Sequence, residues 1–157
     1  MLRAAHVITV SNDETAKKRP YIYAGYAKSA RALYIGETRS SLGAVGRMSQ
    51  HISDTSSNTF KKRICTQRGY DKINLKDIIF FAVPLSNYNG FWLDSSDYRR
   101  AVEYLVQSEI LNFLKKENKS VLLVSRVNAN GYCDIGTIKK EAKTVVRSLI
   151  YSLKDVF

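Results

Sequence analysis

Cysteine and proline are scarce in this sequence of 157 residues, which contains two of each. Cys65 and Cys133 are too few for a disulfide framework and lack the paired spacing of a zinc site. No stretch approaches the roughly 20 apolar residues of a membrane span, and the apolar run at the N-terminus is short for a signal peptide. We therefore expect a cytoplasmic protein with reduced thiols and no membrane partner.

Acidic residues are also few, with 14 Asp and Glu against 25 Lys and Arg. The resulting net charge of +11 and the pI near 9.7 are typical of proteins that bind polyanions, nucleic acid above all. The length and the 45% apolar content suit one domain with a real core. We expect a single domain over residues 1–157, with its core at about 20–125.

The first half of the chain predicts a hairpin followed by helices and a strand. The stretches "YIYAGY" and "ALYIGE" have the aromatic and β-branched content of two strands, with a loop around "AKSAR". Apolar residues at spacings of three and four predict a helix in "SSLGAVGRMSQHISD". A second short helix is expected in "TFKKRICTQRGYDK", with Phe60 and Ile64 inward, before a buried strand in "DIIFFAVPL".

The second half is dominated by two helical patterns. The longer is "SSDYRRAVEYLVQSEILNFLKKENK", with Ser or Asp at its start and lysines at its end. A strand in "SVLLVSRV" and a turn at Asn130–Gly131 should follow, and an amphipathic helix over 137–157 should close the chain. The fold class expected is α+β, a small central antiparallel or mixed sheet flanked by helices.

Two tyrosine-bearing triplets, Tyr21-Ile22-Tyr23 and Tyr34-Ile35-Gly36, are separated by ten residues. Arg47 and His51 follow four residues apart, which places both on one face of the predicted helix. In this order and spacing the chain resembles the GIY-YIG nuclease family, although Tyr21 stands where the family name has its first glycine. The resemblance implies an endonuclease that hydrolyses DNA phosphodiester bonds with a divalent metal.

The resemblance also implies a role for each matching residue. Tyr23 is expected to be the base or to orient the attacking water, with His51 as its helper. Tyr34 would hydrogen-bond to the water or the phosphate, and Gly36 would let its strand approach the site without a side chain. Arg47 offers a permanently charged fork that matches phosphate oxygens.

A metal-binding Glu in a later helix completes the site that the resemblance implies, and Mg²⁺ or another divalent cation such as Mn²⁺ is the expected cofactor. Two carboxylates compete for this role, Glu109 and Glu103. On a helical wheel Glu109 lies among apolar residues, whereas Glu103 has polar neighbours that are typical of a solvated position. The wheel favours Glu109, with Glu103 as the alternative. The apolar neighbours of Glu109 are Val102, Leu105, Val106 and Phe113.

Basic residues of the second helix are expected to contact the DNA backbone. Three asparagines, Asn118, Asn128 and Asn130, compete for a supporting role in the site, and the sequence does not choose between them. The basic residues that are expected to contact the DNA backbone are Lys61, Lys62, Arg63 and Arg68.

Two alternatives to a nuclease remain open at this point. One is a non-catalytic basic nucleic-acid-binding module of the same fold, and the other is a structural protein whose positive face meets an acidic partner. The carboxylate within a basic site favours the enzyme, because a pure binder has no use for it. Because the chain has little beyond the nuclease core, a homodimer or a protein partner is expected to supply specificity.

Overall fold

The computed structural model describes residues 13–53, 58–73, 75 and 77–156. Within these residues, four strands form one mixed sheet that helices cover on both faces, so the α+β prediction is confirmed. The strands are β1 (Tyr21–Ala27), β2 (Ala32–Thr38), β3 (Ile78–Pro84) and β4 (Leu122–Leu123).

The helices that the sequence predicted are all present, and the closing helix begins one residue earlier and ends four residues earlier than the predicted 137–157. One short helix at Asn89–Trp92 and two single-turn 3-10 helices at Asp13–Ala16 and Gly131–Asp134 were not predicted. The helices are α1 (Gly43–Ile52), α2 (Thr59–Arg68), α3 (Asn89–Trp92), α4 (Asp97–Lys116) and α5 (Gly136–Leu153).

The strands lie in the order β3-β1-β2-β4. β1 pairs antiparallel with both β2 and β3, which confirms the predicted hairpin, and in this register Tyr23 lies opposite Gly36. β4 pairs parallel with β2 through Leu122 and Leu123 only. The hairpin therefore forms the centre of the sheet, with both triplets on adjacent strands.

Side chains alternate between the two faces of the hairpin, as strand geometry requires. Ile22 and Ile35 lie on the face covered by α4 and α5, in the larger hydrophobic core. Tyr23 and Tyr34 lie on the opposite face, where α2 packs through Phe60. Both faces of β1 are consequently buried along its whole length.

Two strands differ from their predictions. β3 was expected to be buried, but it lies at the edge of the sheet and is half-buried from Ile78 to Val83. The expected strand in "SVLLVSRV" pairs over two residues only, because side chains replace the backbone ladder at Ile35. There the Ile35 N–H donates to Ser125 Oγ (2.8 Å), and Gln107 Nε2 donates to the Ile35 carbonyl (3.1 Å).

No helix in the part of the chain described by the structure is both long enough and apolar enough to cross a membrane.

The buried Gln107 side chain should contribute measurably to stability, because its oxygen also accepts from the Val127 N–H at 3.1 Å. In a Gln107→Leu variant the Ile35 carbonyl and the Val127 N–H lose these partners, at a cost of roughly 1 to 3 kcal/mol for each group. Urea denaturation measures the loss. Asn112→Leu, the matched change at an exposed α4 position, should stay within about 0.5 kcal/mol; equal losses in the two variants would contradict the bridging role.

Candidate active site

A buried hydrogen bond joins the first triplet to α1. The Tyr23 hydroxyl and His51 Nε2 are 2.8 Å apart, and the two side chains are 2% and 1% exposed. The other ring nitrogen, His51 Nδ1, is 3.1 Å from Thr59 Oγ1 at the start of α2. Tyr23, His51 and Thr59 thus form one hydrogen-bonded line across β1, α1 and α2.

Tyr34 packs against the same histidine. Its ring centroid lies 4.6 Å from that of His51 and 6.1 Å from that of Tyr23, with the two tyrosine rings stacked. Arg63 Cζ lies 5.7 Å from the centroid of the Tyr34 ring, a cation–π distance. The two triplets therefore bring their tyrosines together around His51, as the resemblance implied.

Gly36 is required by the position of Tyr23. A Cβ atom at Gly36 would overlap the hydroxyl and Cζ of Tyr23 and would lie 3.0 Å from Tyr34 Cε1. The sequence suggested that this glycine lets its strand approach the site. The geometry gives a more definite reason, because the missing side chain leaves the space that the Tyr23 ring occupies.

Arg47 lies one helical turn before His51 on α1 and is half-buried. Its guanidinium donates to Gln50 Oε1, and its charge acts on both members of the buried pair. It lowers the pKa of Tyr23 and that of His51, although neither effect is the largest on its group. Arg47 is therefore a cation whose charge lowers the pKa of both members of the pair.

The structure reverses the expected positions of the two glutamates. Glu109, which the wheel put in the middle of the buried face, is exposed, so that expectation is wrong. Glu103 is half-buried and accepts a hydrogen bond from Gln107 Nε2 at 2.9 Å. The physical reason is that Arg99 and Gln107, one turn before and one turn after Glu103, are themselves buried, at 4% and 6% exposure.

Burial raises the pKa of Glu103 to about 7. This value is the net of burial, which is the largest effect, and of smaller charge effects, since the neighbouring carboxylate of Glu37 raises the pKa while Arg100 and Arg63 lower it. Glu103 in turn raises the pKa of Tyr23. The carboxylate is therefore within electrostatic reach of the Tyr23 hydroxyl, and it lacks enough positive charge nearby to offset its burial.

Burial also keeps Tyr23 and His51 uncharged. It raises the pKa of Tyr23 well above its ordinary value of 10 and, together with Arg47 and Arg63, lowers the pKa of His51 to about 4. At neutral pH the phenol is protonated and the imidazole is neutral, with one N–H and one acceptor nitrogen.

Glu37 and Arg99, which sequence reasoning missed, connect this site to α4. Arg99 Nε donates to Glu37 Oε2 at 2.7 Å, and Arg99 Nη1 donates to the carbonyls of Phe91, Leu93 and Ser95. Glu37 directly follows the second triplet, and Arg99 precedes Glu103 by four residues. These two positions, directly after the triplet and one helical turn before Glu103, are the sequence features from which Glu37 and Arg99 could have been predicted.

The side chains of the site offer few ligands for the metal that the resemblance implies. Among the described residues, no three His, Cys, Asp or Glu side chains group closely enough to hold a metal ion by themselves. Magnesium does not need such a cage, because it commonly binds through one or two carboxylates, with waters and substrate phosphate completing its shell. Glu103, with Glu37 beside it, fits that chemistry.

The predicted DNA-contacting residues of α2 do not share one surface. Arg63 faces the Tyr34 ring and also donates to the Val124 carbonyl at 3.3 Å. Lys61 and Lys62 line a separate cavity of about 730 Å³. Arg68, which is exposed, donates to the Ala30 carbonyl in the hairpin turn. Of the four, Arg63 is the one that the fold brings to the candidate site.

The three asparagines also separate. Asn130 has a local structural role, since it accepts from the Tyr132 N–H and donates to the Asp97 carbonyl. Asn118 lies two residues beyond the end of α4 and has a positive φ of 50°. Asn128 lines a cleft of about 240 Å³ that Gln107, the hydrogen-bond partner of Glu103, also lines.

Comparison of the chain with protein-family models, with curated protein sequences and with solved structures found no match.

The raised pKa of Glu103 should be visible in the pH dependence of folding. The folded carboxyl holds its proton to about pH 7 and the unfolded one only to about 4.5. Its stabilising contribution is therefore fully present below the lower value and is lost as the pH rises through the higher one. In the absence of divalent ions, Glu103→Gln should have a higher melting temperature than the wild type at pH 8. Its free energy of unfolding should be larger by on the order of 1 to 3 kcal/mol.

The melting temperatures of the two proteins should converge as the pH falls below about 4.5, where the wild-type carboxyl becomes protonated in both states. Glu109→Gln, on the exposed side of the same helix, is the matched control for removing one carboxylate from α4, and the gain of Glu103→Gln at pH 8 should exceed it. A Glu103→Gln effect of the same size at both pH values would contradict the buried, ionisable carboxyl.

Proposed function

We propose that this protein is a metal-dependent endonuclease that hydrolyses DNA phosphodiester bonds in the manner of the GIY-YIG nucleases that its sequence resembles. The observation that carries the proposal is the convergence of Tyr23, His51, Arg47 and Glu103. These side chains come from β1, α1 and α4, so the fold gathers them from residues up to 80 positions apart. A phenol, an imidazole, a guanidinium and a carboxylate are the groups that phosphodiester hydrolysis needs.

The Tyr23 and His51 pair can move a proton away from an attacking water. In the tautomer that we assign, the Tyr23 hydroxyl donates to His51 Nε2, and Nδ1–H donates to Thr59 Oγ1. As the water oxygen forms its bond to phosphorus, a water proton passes to the Tyr23 oxygen and the phenolic proton passes to Nε2. The phosphorus–oxygen bond to the leaving strand breaks, and the leaving oxygen takes a proton from solvent.

The lowered pKa of His51 makes its imidazole a weaker base than an ordinary histidine, but it keeps the ring neutral and able to take a proton transiently. An imidazolium with a pKa of about 4 gives up its proton readily at neutral pH, so the resting pair is restored after each turnover. Burial thus holds Tyr23 and His51 in the uncharged forms from which the proposed transfer starts.

Of the four converging side chains, Arg47 and Glu103 are half-buried whereas Tyr23 and His51 are buried, and a phosphate would bind beside Arg47 and Glu103. Arg47 can donate two parallel hydrogen bonds to phosphate oxygens. Glu103 would hold the divalent ion, which when bound would neutralise charge on the scissile phosphate. A cation there would also offset the unfavourable burial of the carboxylate.

A non-catalytic nucleic-acid-binding module of the same fold is the second candidate. It is favoured by the near-complete burial of Tyr23 and His51, which in a pure binder would be core residues. It leaves unexplained why Glu103, a half-buried carboxylate, lies beside groups that would otherwise attract phosphate. The cleavage experiments below separate the two candidates.

Glu103→Gln should abolish Mg²⁺-dependent cleavage of supercoiled plasmid, because it removes the charge that binds the cation and keeps the shape. DNA affinity should be unchanged or higher, since a negative group near phosphate is lost. Glu109→Gln should cleave at nearly the wild-type rate, as expected for an exposed helix position. If both variants cleave normally, the nuclease proposal is wrong and the binding module takes its place.

Arg47→Lys should be nearly as damaging as Arg47→Ala, because a planar fork and not charge alone is needed at phosphate. We expect both to lower the single-turnover cleavage rate by roughly 10² to 10³. Arg68→Lys, the same change at an exposed position, is the control and should cleave normally. A wild-type cleavage rate in Arg47→Lys would mean that only the positive charge of Arg47 is needed, and not its planar guanidinium.

A further inference from the structure

The closing helix α5 presents two opposite surfaces. Its apolar side packs against α4 and β3 and forms part of the larger hydrophobic core. These contacts fix the rotation of the helix, so its other side faces outward in a defined orientation. The buried residues are Ile138, Ala142, Val145, Val146, Leu149 and Leu153.

The outward side carries a line of basic residues with one aromatic ring. They are separated by steps of three or four, which places them along one face of the helix. All are exposed, and the aromatic ring is 81% exposed. We call them the α5 basic stripe, and they are Lys140, Lys143, Arg147, Tyr151 and Lys154.

The cations of the α5 basic stripe have no acidic partners in the part of the chain that the structure describes. The neighbouring Lys139 does form an ion pair, with Asp134 at 2.9 Å. Glu141, the acidic residue within α5, instead accepts a hydrogen bond from the Ser86 N–H at 2.8 Å. The stripe is therefore a surface of uncompensated positive charge, which attracts a polyanion.

We infer that the α5 basic stripe binds the phosphate backbone of duplex DNA, as a surface separate from the candidate active site. α5 covers the sheet face that carries Ile22 and Ile35, whereas Tyr23 and Tyr34 lie on the other face. The stripe therefore lies on the opposite side of the sheet from the tyrosines. This inference goes beyond the proposed function and does not depend on cleavage.

The dimensions and chemistry of the stripe favour DNA over a lipid surface. Lys140 and Lys154 are 14 residues apart, about 21 Å along a helix, a length that spans about six base pairs along the duplex axis at about 3.4 Å each. A helix that lies on a membrane inserts its apolar face among the lipids. The apolar face of α5 is already buried in the core, so only charge and Tyr151 remain outside.

The test is the salt dependence of duplex DNA binding, measured by fluorescence anisotropy in EDTA so that no cleavage occurs. Each phosphate contact contributes about −0.9 to the slope of log K against log salt. The double variant Lys143→Gln/Arg147→Gln should therefore bind more weakly, with a slope smaller in magnitude by about 1.8. The matched control, Lys115→Gln/Lys116→Gln, removes the same charge from an exposed end of α4 and should leave the slope nearly unchanged.

Two outcomes would overturn the inference. One is an equal change in both double variants, which would mean that only net charge matters. The other is an unchanged DNA slope in the α5 variant together with lost binding to phosphatidylserine vesicles, which would assign the stripe to a lipid surface. Wild-type melting temperatures are required of both variants.

The two proposals fail independently. A wild-type protein that does not cleave plasmid with Mg²⁺ but shows the α5-dependent slope would refute the nuclease alone. Normal cleavage with no α5-dependent slope would refute the stripe alone.

Discussion

The phenol ring of Tyr23 lies over Gly36, its partner across the β1–β2 ladder, where any side chain would overlap the Tyr23 hydroxyl. This steric constraint directs the hydroxyl to His51, since the ring has a fixed place between the strand and α1. The position of His51 in turn fixes how Thr59 and Tyr34 pack. An antiparallel register shifted by one residue would turn one strand over relative to the other, so that Tyr23 and Tyr34 would no longer share the face that carries His51.

Burial creates the chemistry of the site and also its energetic cost. The same removal from water that keeps Tyr23 protonated and His51 neutral raises the pKa of Glu103 to about 7. A hydrogen-bonded neutral pair is tolerated in a protein interior, whereas a carboxylate short of positive charge is not. The free protein therefore carries unfavourable electrostatics at Glu103 that a bound cation would relieve, which couples ligand binding to stability.

The fold was predictable from sequence wherever hydrophobic periodicity is strong, as in the hairpin, α1, α4 and α5. It was not predictable where side chains replace backbone pairing. The stretch after Leu123 has the composition of a strand, but Ser125 and Gln107 satisfy the backbone of Ile35 and the ladder stops. Tyr23 and His51 could be paired in advance because their spacing matches a family pattern, whereas their link to Thr59 depends on how α2 packs.

The helical wheel predicted the wrong environment for Glu103 because it assumed that the buried face of α4 consists of apolar residues only. On α4 the buried face includes a polar line, Arg99, Glu103 and Gln107, at intervals of four residues. Arg99 bonds to Glu37 and three carbonyls, and Gln107 bonds to two backbone groups and to Glu103, so both side chains are already engaged. Within the described residues Glu103 accepts one hydrogen bond, from Gln107. A carboxylate with acceptor capacity left, between two polar neighbours that are bonded elsewhere, is where this helix face can take a cation.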